Sequence, residues 1–177
     1  MTISLAIDTA TARTAVGIIE DGQVLFSQFH DGATDHGRAV ADLVSKALQV
    51  AKPPQQVVVG MGPGPFTGLR VGIAFAQTFA LARQIPLIGI CSLDAIAIAE
   101  SSYTVAIDAR RKEIYWASYK DGVRTAGPAV NKPDEVANFI LGQYPDIQKM
   151  VELSADQDIG EPIYLRRPDA VPTAERQ

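Results

Sequence analysis

The side chains best placed for chemistry sit at two strand ends and around one glycine-rich turn. Asp8 closes the apolar run Ile3–Ile7 and is followed by Thr9, Thr11 and Thr14. A carboxylate among hydroxyls at such a place either frames a polar pocket or bonds the backbone of its own turn. Asp108 closes a second run, Tyr103–Ile107, and is followed by Ala109, Arg110, Arg111 and Lys112. A loop that lets a phosphate approach bare backbone needs small residues. The long cations here read instead as a solvated turn, or as a charged contact to a partner or its nucleotide. The glycine-rich turn, Gly62-Pro63-Gly64-Pro65-Phe66-Thr67-Gly68-Leu69-Arg70-Val71-Gly72, fails two nucleotide tests. A Walker loop needs lysine and then serine or threonine after its last glycine, but Leu69-Arg70 follow Gly68. The dinucleotide pattern needs a third glycine where Thr67 stands. Amides at the start of the following helix could meet an anion, although close packing accounts better for the glycines.

Metal and nucleophile chemistry find little support. Two imidazoles grip one metal from a helix when they are four residues apart on one face. His36 has Val40 at that place, and His30 lies six residues back in a strand pattern. Cys91 lies between Ile90 and Ser92 with no histidine near it in sequence, which is the setting of a small buried thiol.

The elements that must position these residues can be read from patterning. Val57–Gly60 is a β-branched buried strand. The Gly/Pro segment after it is a tight turn, and no breaker then appears before Pro86, so a helix leaves it. Gly68, Gly72, Ala76 and Ala80 recur every four residues as one ridge of missing side chains. Each mid-helix glycine costs about 1 kcal/mol against alanine, a cost offset only where another backbone lies close. The ridge, with Leu69 and Ile73, therefore reads as a partner or dimer contact surface. Ile3–Ile7, Thr14–Ile19 and Gln23–Phe29 are strands, the last two joined at Asp21-Gly22. Asp35–Ala51 is an amphipathic helix with Val40, Leu43, Val44, Ala47 and Leu48 on one face, capped by Thr34 or Asp35. Leu87–Ile90 is a short strand, and Ser92 caps a helix to about Glu100. The second half restarts the plan with strands Tyr103–Ile107 and Glu113–Tyr119 and a turn at Asp121-Gly122. Both halves read strand, aspartate, turn, strand, Asp-Gly, strand, the mark of a duplicated lobe. A helix over Asn131–Leu141 and a strand over Lys149–Leu153 follow, before an irregular tail with Pro162, Pro168 and Pro172. The lobes divide as 1–101 and 102–177.

Composition bounds what these elements serve. The 177 residues hold 47% hydrophobic and 20% charged side chains, one cysteine and a net charge of −4, those of a globular chain without an internal disulfide. A protein that grips RNA by itself presents a basic surface, so any action on RNA passes through a partner. No apolar run is long enough for a membrane span, and no charged and apolar leader opens the chain. The expectation is a cytoplasmic protein with no membrane contact.

The turn motif resembles the GPGSFTGLRxG signature of the TsaB (YeaZ) family, with Pro65 in place of serine. The resemblance extends to IDTA at the start, a helix opening with a histidine, DARRKEIYWA, and Pro162-Ile163-Tyr164-Leu165-Arg166, similar to the family's P-x-YLR. It implies a two-lobed α/β actin-like ATPase fold (ribonuclease H-like, or ASKHA) with an abbreviated second lobe. It also implies a non-catalytic subunit that binds and activates the TsaD transferase together with the TsaE ATPase. That complex makes threonylcarbamoyladenosine at position 37 of tRNA, so the chain would reach tRNA only indirectly. TsaD holds its metal through two helix histidines four apart, a pair missing here, so no metal, catalytic residue or intrinsic cofactor is expected. ATP or ADP is expected at the complex interface, with Asp8, Asp108, Arg110 and Arg111 nearest a nucleotide, and a homodimer through the small-residue helix when the partners are absent. The motif-loop residues are Gly62, Gly64, Phe66, Thr67 and Arg70. The alternatives are an active actin-like ATPase or kinase, a glycoprotease, and a homodimeric module with no link to tRNA.

Overall fold

The computed structural model describes residues 2–166. Strands β1 (Ile3–Asp8), β2 (Arg13–Glu20), β3 (Gln23–Asp31), β4 (Gln56–Gly60) and β5 (Leu87–Ile90) form one sheet in the order β3-β2-β1-β4-β5. β1 is central, antiparallel to β2 and parallel to β4. It is buried along its whole length, as its continuous apolar run requires. Ile3, Leu5 and Ile7 join Val16, Ile18, Val57 and Val59 on one face, under α1 (His36–Val50) and α2 (Phe66–Arg83). Ala6, Ala15, Ile19 and Val58 pack on the other face. β6 (Ser102–Asp108), β7 (Ile114–Lys120), β8 (Val123–Asn131) and β9 (Phe139–Ile140) form the second sheet in the order β8-β7-β6-β9.

The duplication is visible in the strand order. β6, β7 and β8 repeat β1, β2 and β3, and β9 lies parallel to β6 as β4 does to β1. The turns repeat too: Ala10 N–H donates to Asp8 at 2.9 Å and Arg110 N–H to Asp108 at 2.8 Å. The second lobe is the shorter, with β9 only two residues long and no α-helix between β8 and β9.

Three expected elements differ. The segment from Ser92 makes one 3₁₀ turn, Ser92–Ala95, and Ile96 is already extended. Leu93 and Ile96 are needed in the second core, while buried Asp94 accepts from Tyr119, Arg124 and Gln157. Asn131–Leu141 is not a helix: a 3₁₀ turn, Pro133–Glu135, leads to β9, which pairs with Thr104 and Val105 on the open edge of β6. Lys149–Leu153 is helical, as part of α3 (Ile147–Leu153), capped by Asp146 accepting from Lys149 N–H. Ile147 and Met150, three apart, are buried against the first sheet. The division at residue 102 is also incomplete, because the second segment returns to the first. Beyond α3, Ile159 N–H donates to Gly89 O at 2.7 Å and Ile163 N–H to Met61 O at 2.7 Å. Pro168 and Pro172 lie outside the described residues.

The small-residue ridge does meet a close neighbour, but that neighbour is the chain itself. Gly68, Leu69, Gly72, Ile73, Ala76 and Ala80 are all buried in the first lobe. Thr9, just past β1, lies in the groove between the two glycines, its hydroxyl donating to Gly68 O at 2.8 Å and accepting from Gly72 N–H at 3.1 Å. These six residues are therefore core positions, unlike the contact surface their spacing suggests. A Cβ at Gly72 would overlap the Thr9 hydroxyl, whereas one at Gly37 in α1 would meet only Val71 at 3.9 Å. Propensity favours alanine at both sites by about 1 kcal/mol. Urea unfolding should show Gly37→Ala stabilised by roughly that amount and Gly72→Ala destabilised by about 1–3 kcal/mol. Equal stabilisation of both variants would show that the groove is slack.

Candidate functional site

The first lobe presents a polar turn, but its carboxylate is spent on structure. Asp8 is 1% exposed. One oxygen accepts from Ala10 N–H and the other from Ser92 Oγ at 2.6 Å; Ser92 Oγ also accepts from Gly62 N–H at 3.3 Å. Asp8 therefore ties the end of β1 to the start of the glycine turn. Burial pushes its carboxyl up to about 6, against the two hydrogen bonds that favour the ionised form. Asp108 is the opposite case: exposed, and paired with Arg110 at 3.5 Å.

The turn from Gly62 to Thr67 sets α2 against the second lobe. Arg70, in the first turns of α2, lies 3.6 Å from the centroid of the Phe66 ring, and its Nε donates to the Tyr164 hydroxyl at 3.0 Å. Phe66 and Tyr164 are themselves in contact, centroids 5.0 Å apart. The grouping is thus a stacked unit that holds the Tyr164 segment on the first lobe. On the other side, Arg110, Arg111 and Lys112 all adopt left-handed backbone, with φ of 62°, 55° and 62°, a conformation costly for non-glycine residues. Arg166 braces that turn. Its guanidinium donates to Ala109 O at 2.8 Å and Arg110 O at 3.2 Å, and pairs with Glu113.

Between these walls lies a cleft of about 530 Å³, lined by Thr11, His36, Gly64–Gly68, Arg110, Arg111, Tyr115, Tyr164 and Arg166 among others. His36 is a buried member of it, with Nδ1 2.7 Å from the Thr14 hydroxyl. Burial lowers its pKa, which favours the neutral ring. The fold thus gathers Gly64, Phe66, Thr67, Gly68, Arg110 and Arg111 at one cleft. It places Asp8, Gly72, Ile73, Ala76 and Ala80 in the core, and Asp108 on an adjoining recess with Arg110. Tyr115, Tyr164 and Arg166 complete the cleft, and sequence reasoning assigned them no role. Their signal was local, in the motif segments DARRKEIYWA and Pro162–Arg166, but what they touch is set by distant chain. Cys91 is buried, and burial pushes its thiol up to about 11. Among the described residues, no group of three or more His, Cys, Asp or Glu side chains is placed to hold a metal ion.

Two lobes that repeat one strand order and share a cleft define the actin-like class of fold. The chain matches the family model described as TsaD, tRNA N6-adenosine threonylcarbamoyltransferase, over residues 30–170. It is 40% identical over 200 residues to an uncharacterized protein of Mycobacterium tuberculosis (strain H37Rv), covering 96% of this chain and 94% of that protein. It is 35% identical over 128 residues to the tRNA threonylcarbamoyladenosine biosynthesis protein TsaB of Escherichia coli K12, covering 66% of this chain and 54% of that protein. A crystal structure of an uncharacterized Pseudomonas aeruginosa protein with similarity to peptidase YEAZ shares the fold, with a TM-score of 0.80 at 22% identity, covering 94% of this chain and all of that one. The chain belongs to the TsaB/YeaZ family. It spans about half the length of the E. coli protein.

Asp8 gives a pH signature. Its carboxyl is pushed up to about 6 in the fold from the ordinary aspartate value of 3.8. A folded value raised above the unfolded one stabilises the protein fully below about 4, and that contribution is lost as pH rises through about 6. The shift corresponds to about 3 kcal/mol over this window. Subtracting the urea stability of an Asp8→Asn variant from that of the parent at each pH should leave this descending step. A difference curve flat between pH 4 and 7 would show that Asp8 titrates normally.

Proposed function

We propose that this chain is a non-catalytic accessory subunit in the synthesis of N6-threonylcarbamoyladenosine on tRNA, acting in the cytoplasm. It binds and activates a TsaD-type transferase together with a TsaE-type ATPase, and reaches tRNA only through that assembly. The net charge of −4 supports indirect contact with RNA. The catalytic task falls to the transferase, since the one histidine of α1 is committed to Thr14 and its neighbour four residues on, Val40, is core.

The observation that carries the reading is the outer side of α2. With the small-residue ridge turned into the lobe, the side left exposed holds Arg70, Ala74, Thr78 and Leu81. Leu81 is 81% exposed, and half-buried Val71, Phe75 and Phe79 flank the strip. This side of an 18-residue helix mixes Arg70, Gln77 and Thr78 with Ala74, Leu81 and the flanking apolar side chains, a surface that suits a helix-to-helix contact. It would serve the transferase in the complex and a second copy of this chain without it. No helix among the described residues is long and apolar enough to cross a membrane.

Two measurements test this. With transferase, ATPase and tRNA from the same organism, omitting this chain should abolish threonylcarbamoyladenosine formation, and unchanged modification would refute the role. Ala74→Arg and Leu81→Glu should each prevent co-elution with the transferase on gel filtration while shifting stability by no more than about 0.5 kcal/mol, as for other surface substitutions. Retained co-elution would place the contact elsewhere.

A further inference from the structure

Sheets end in edges whose backbone groups can take up a further strand, and among the described residues three of the four edges are covered, broken or short. Along β5, Ile159 N–H donates to Gly89 O, while Gly89 N–H and Cys91 N–H donate to the side chains of Asp158 and Gln157. β8 is interrupted by Gly127-Pro128 and by two register shifts against β7, and β9 is two residues long. β3 differs. It runs for nine residues without proline or lysine and exposes Val24, Leu25 and Phe29, the last at 58%. Gly32 N–H donates to Ala12 O, and Asp31 stands opposite Arg13. Bonded and non-bonded pairs alternate in an antiparallel ladder, so Phe26, Gln28 and His30 are the residues bonded to β2. Ser27, Phe29 and Asp31 then direct their N–H and C=O groups away from the sheet, where no described segment meets them.

This open edge is complementary to itself. Two identical strands that close a dimer about a two-fold axis pair antiparallel. With the axis at Phe29, the two exposed Phe29 rings face each other, and Ser27 stands opposite Asp31 of the second copy. An aromatic pair and a hydroxyl donating to a carboxylate are favourable cross-strand partners. Asp31 keeps acceptor sites for that bond beyond the two it gives Arg13. Sliding the register by one bonded pair sets Phe29 against Asp31 or against Ser27, and either shift loses both matches. The bulge at Leu25, beside Ile19, ends the regular ladder and confines the pairing to residues 26–31. We infer that β3 pairs with β3 of a second copy, joining two five-stranded sheets edge to edge. The contact is separate from that of α2, which packs over β1, β4 and β5 while α1 covers β2 and β3. A transferase on α2 leaves this edge open, and the accessory role survives the failure of the inference.

The test uses the full chain carrying Leu81→Glu, so that the outer side of α2 does not supply the dimer. Sedimentation equilibrium should give a monomer–dimer Kd below about 100 µM. The Ser27 N–H points outward, so Ser27→Pro removes a bond to the second copy and spares the ladder to β2. It should weaken the dimer at least about tenfold with an unchanged far-UV spectrum. Phe29→Lys, at an exposed position, should do the same by setting like charges opposite each other. Register is read from disulfides. Bonded opposite residues lie about 5.5 Å apart at Cα, within disulfide reach, so Phe29→Cys should cross-link to its own copy on mild oxidation. Ser27→Cys should not, since its two copies stand roughly 13 Å apart along the strands, but it should cross-link when mixed with Asp31→Cys. Cys91 is buried and does not compete. A chain still monomeric at about 100 µM, a Kd unaltered in both Ser27→Pro and Phe29→Lys, or Ser27→Cys linking to itself as fast as Phe29→Cys would each overturn the inference.

Discussion

The contact on which this structure most depends is one hydroxyl in one groove. Thr9 Oγ1 bridges Gly68 O and Gly72 N–H inside α2, and only residues without Cβ let the turn after β1 come so near a helix backbone. The approach sets the position of α2 on the sheet. It thereby fixes the glycine turn before the helix, and with it the wall of the cleft. Asp8, the neighbouring residue, ties that turn from the other side through Ser92 and Gly62. Two adjacent residues at the end of one strand thus anchor both flanks of the motif loop.

The two halves show how a duplicated plan diverges. Asp8 and Asp108 make the same hydrogen bond to the backbone two residues on. One is sealed among hydroxyls and glycines, and the other lies open to solvent beside arginines. The first lobe buries both faces of its sheet under α1, α2 and α3. The second lobe has no long helix of its own and fills its core with Cys91, Leu93 and Ile96 from the crossover and with Ile159, Ile163 and Leu165 from the returning tail. This borrowing makes the lobes interdependent. It also explains why the stacked unit of Phe66, Arg70 and Tyr164 joins residues nearly a hundred positions apart.

Much of the fold was legible because its signals are local. The two Asp-Gly turns, the β-branched run at Val57–Val59 and the apolar spacing of α1 each specify an element through backbone preference or periodicity, without reference to distant chain. The repeated spacing of Asp8 and Asp108 to those turns revealed the duplication. The motif Gly62–Gly72 carried the family, and the four-residue spacing of Gly68, Gly72, Ala76 and Ala80 correctly required a close-packed neighbour.

What spacing cannot carry is the identity of that neighbour, since any backbone satisfies a groove of missing side chains. Only the assembled lobe decides that it is Thr9 of the same chain, leaving the opposite side of α2 for other contacts. The same limit governed the ends of the second half. A segment such as Asn131–Leu141 is helical by local preference, but the unpaired edge of β6 takes Phe139 and Ile140 as a strand. The segment from Ser92 stops after one turn because Leu93 and Ile96 are claimed by a core formed from later strands. The cleft itself is decided at this level. Arg110 and Arg166 join His36 and Gly68 there only when the second lobe and its tail fold back, through tertiary contacts that no local pattern encodes.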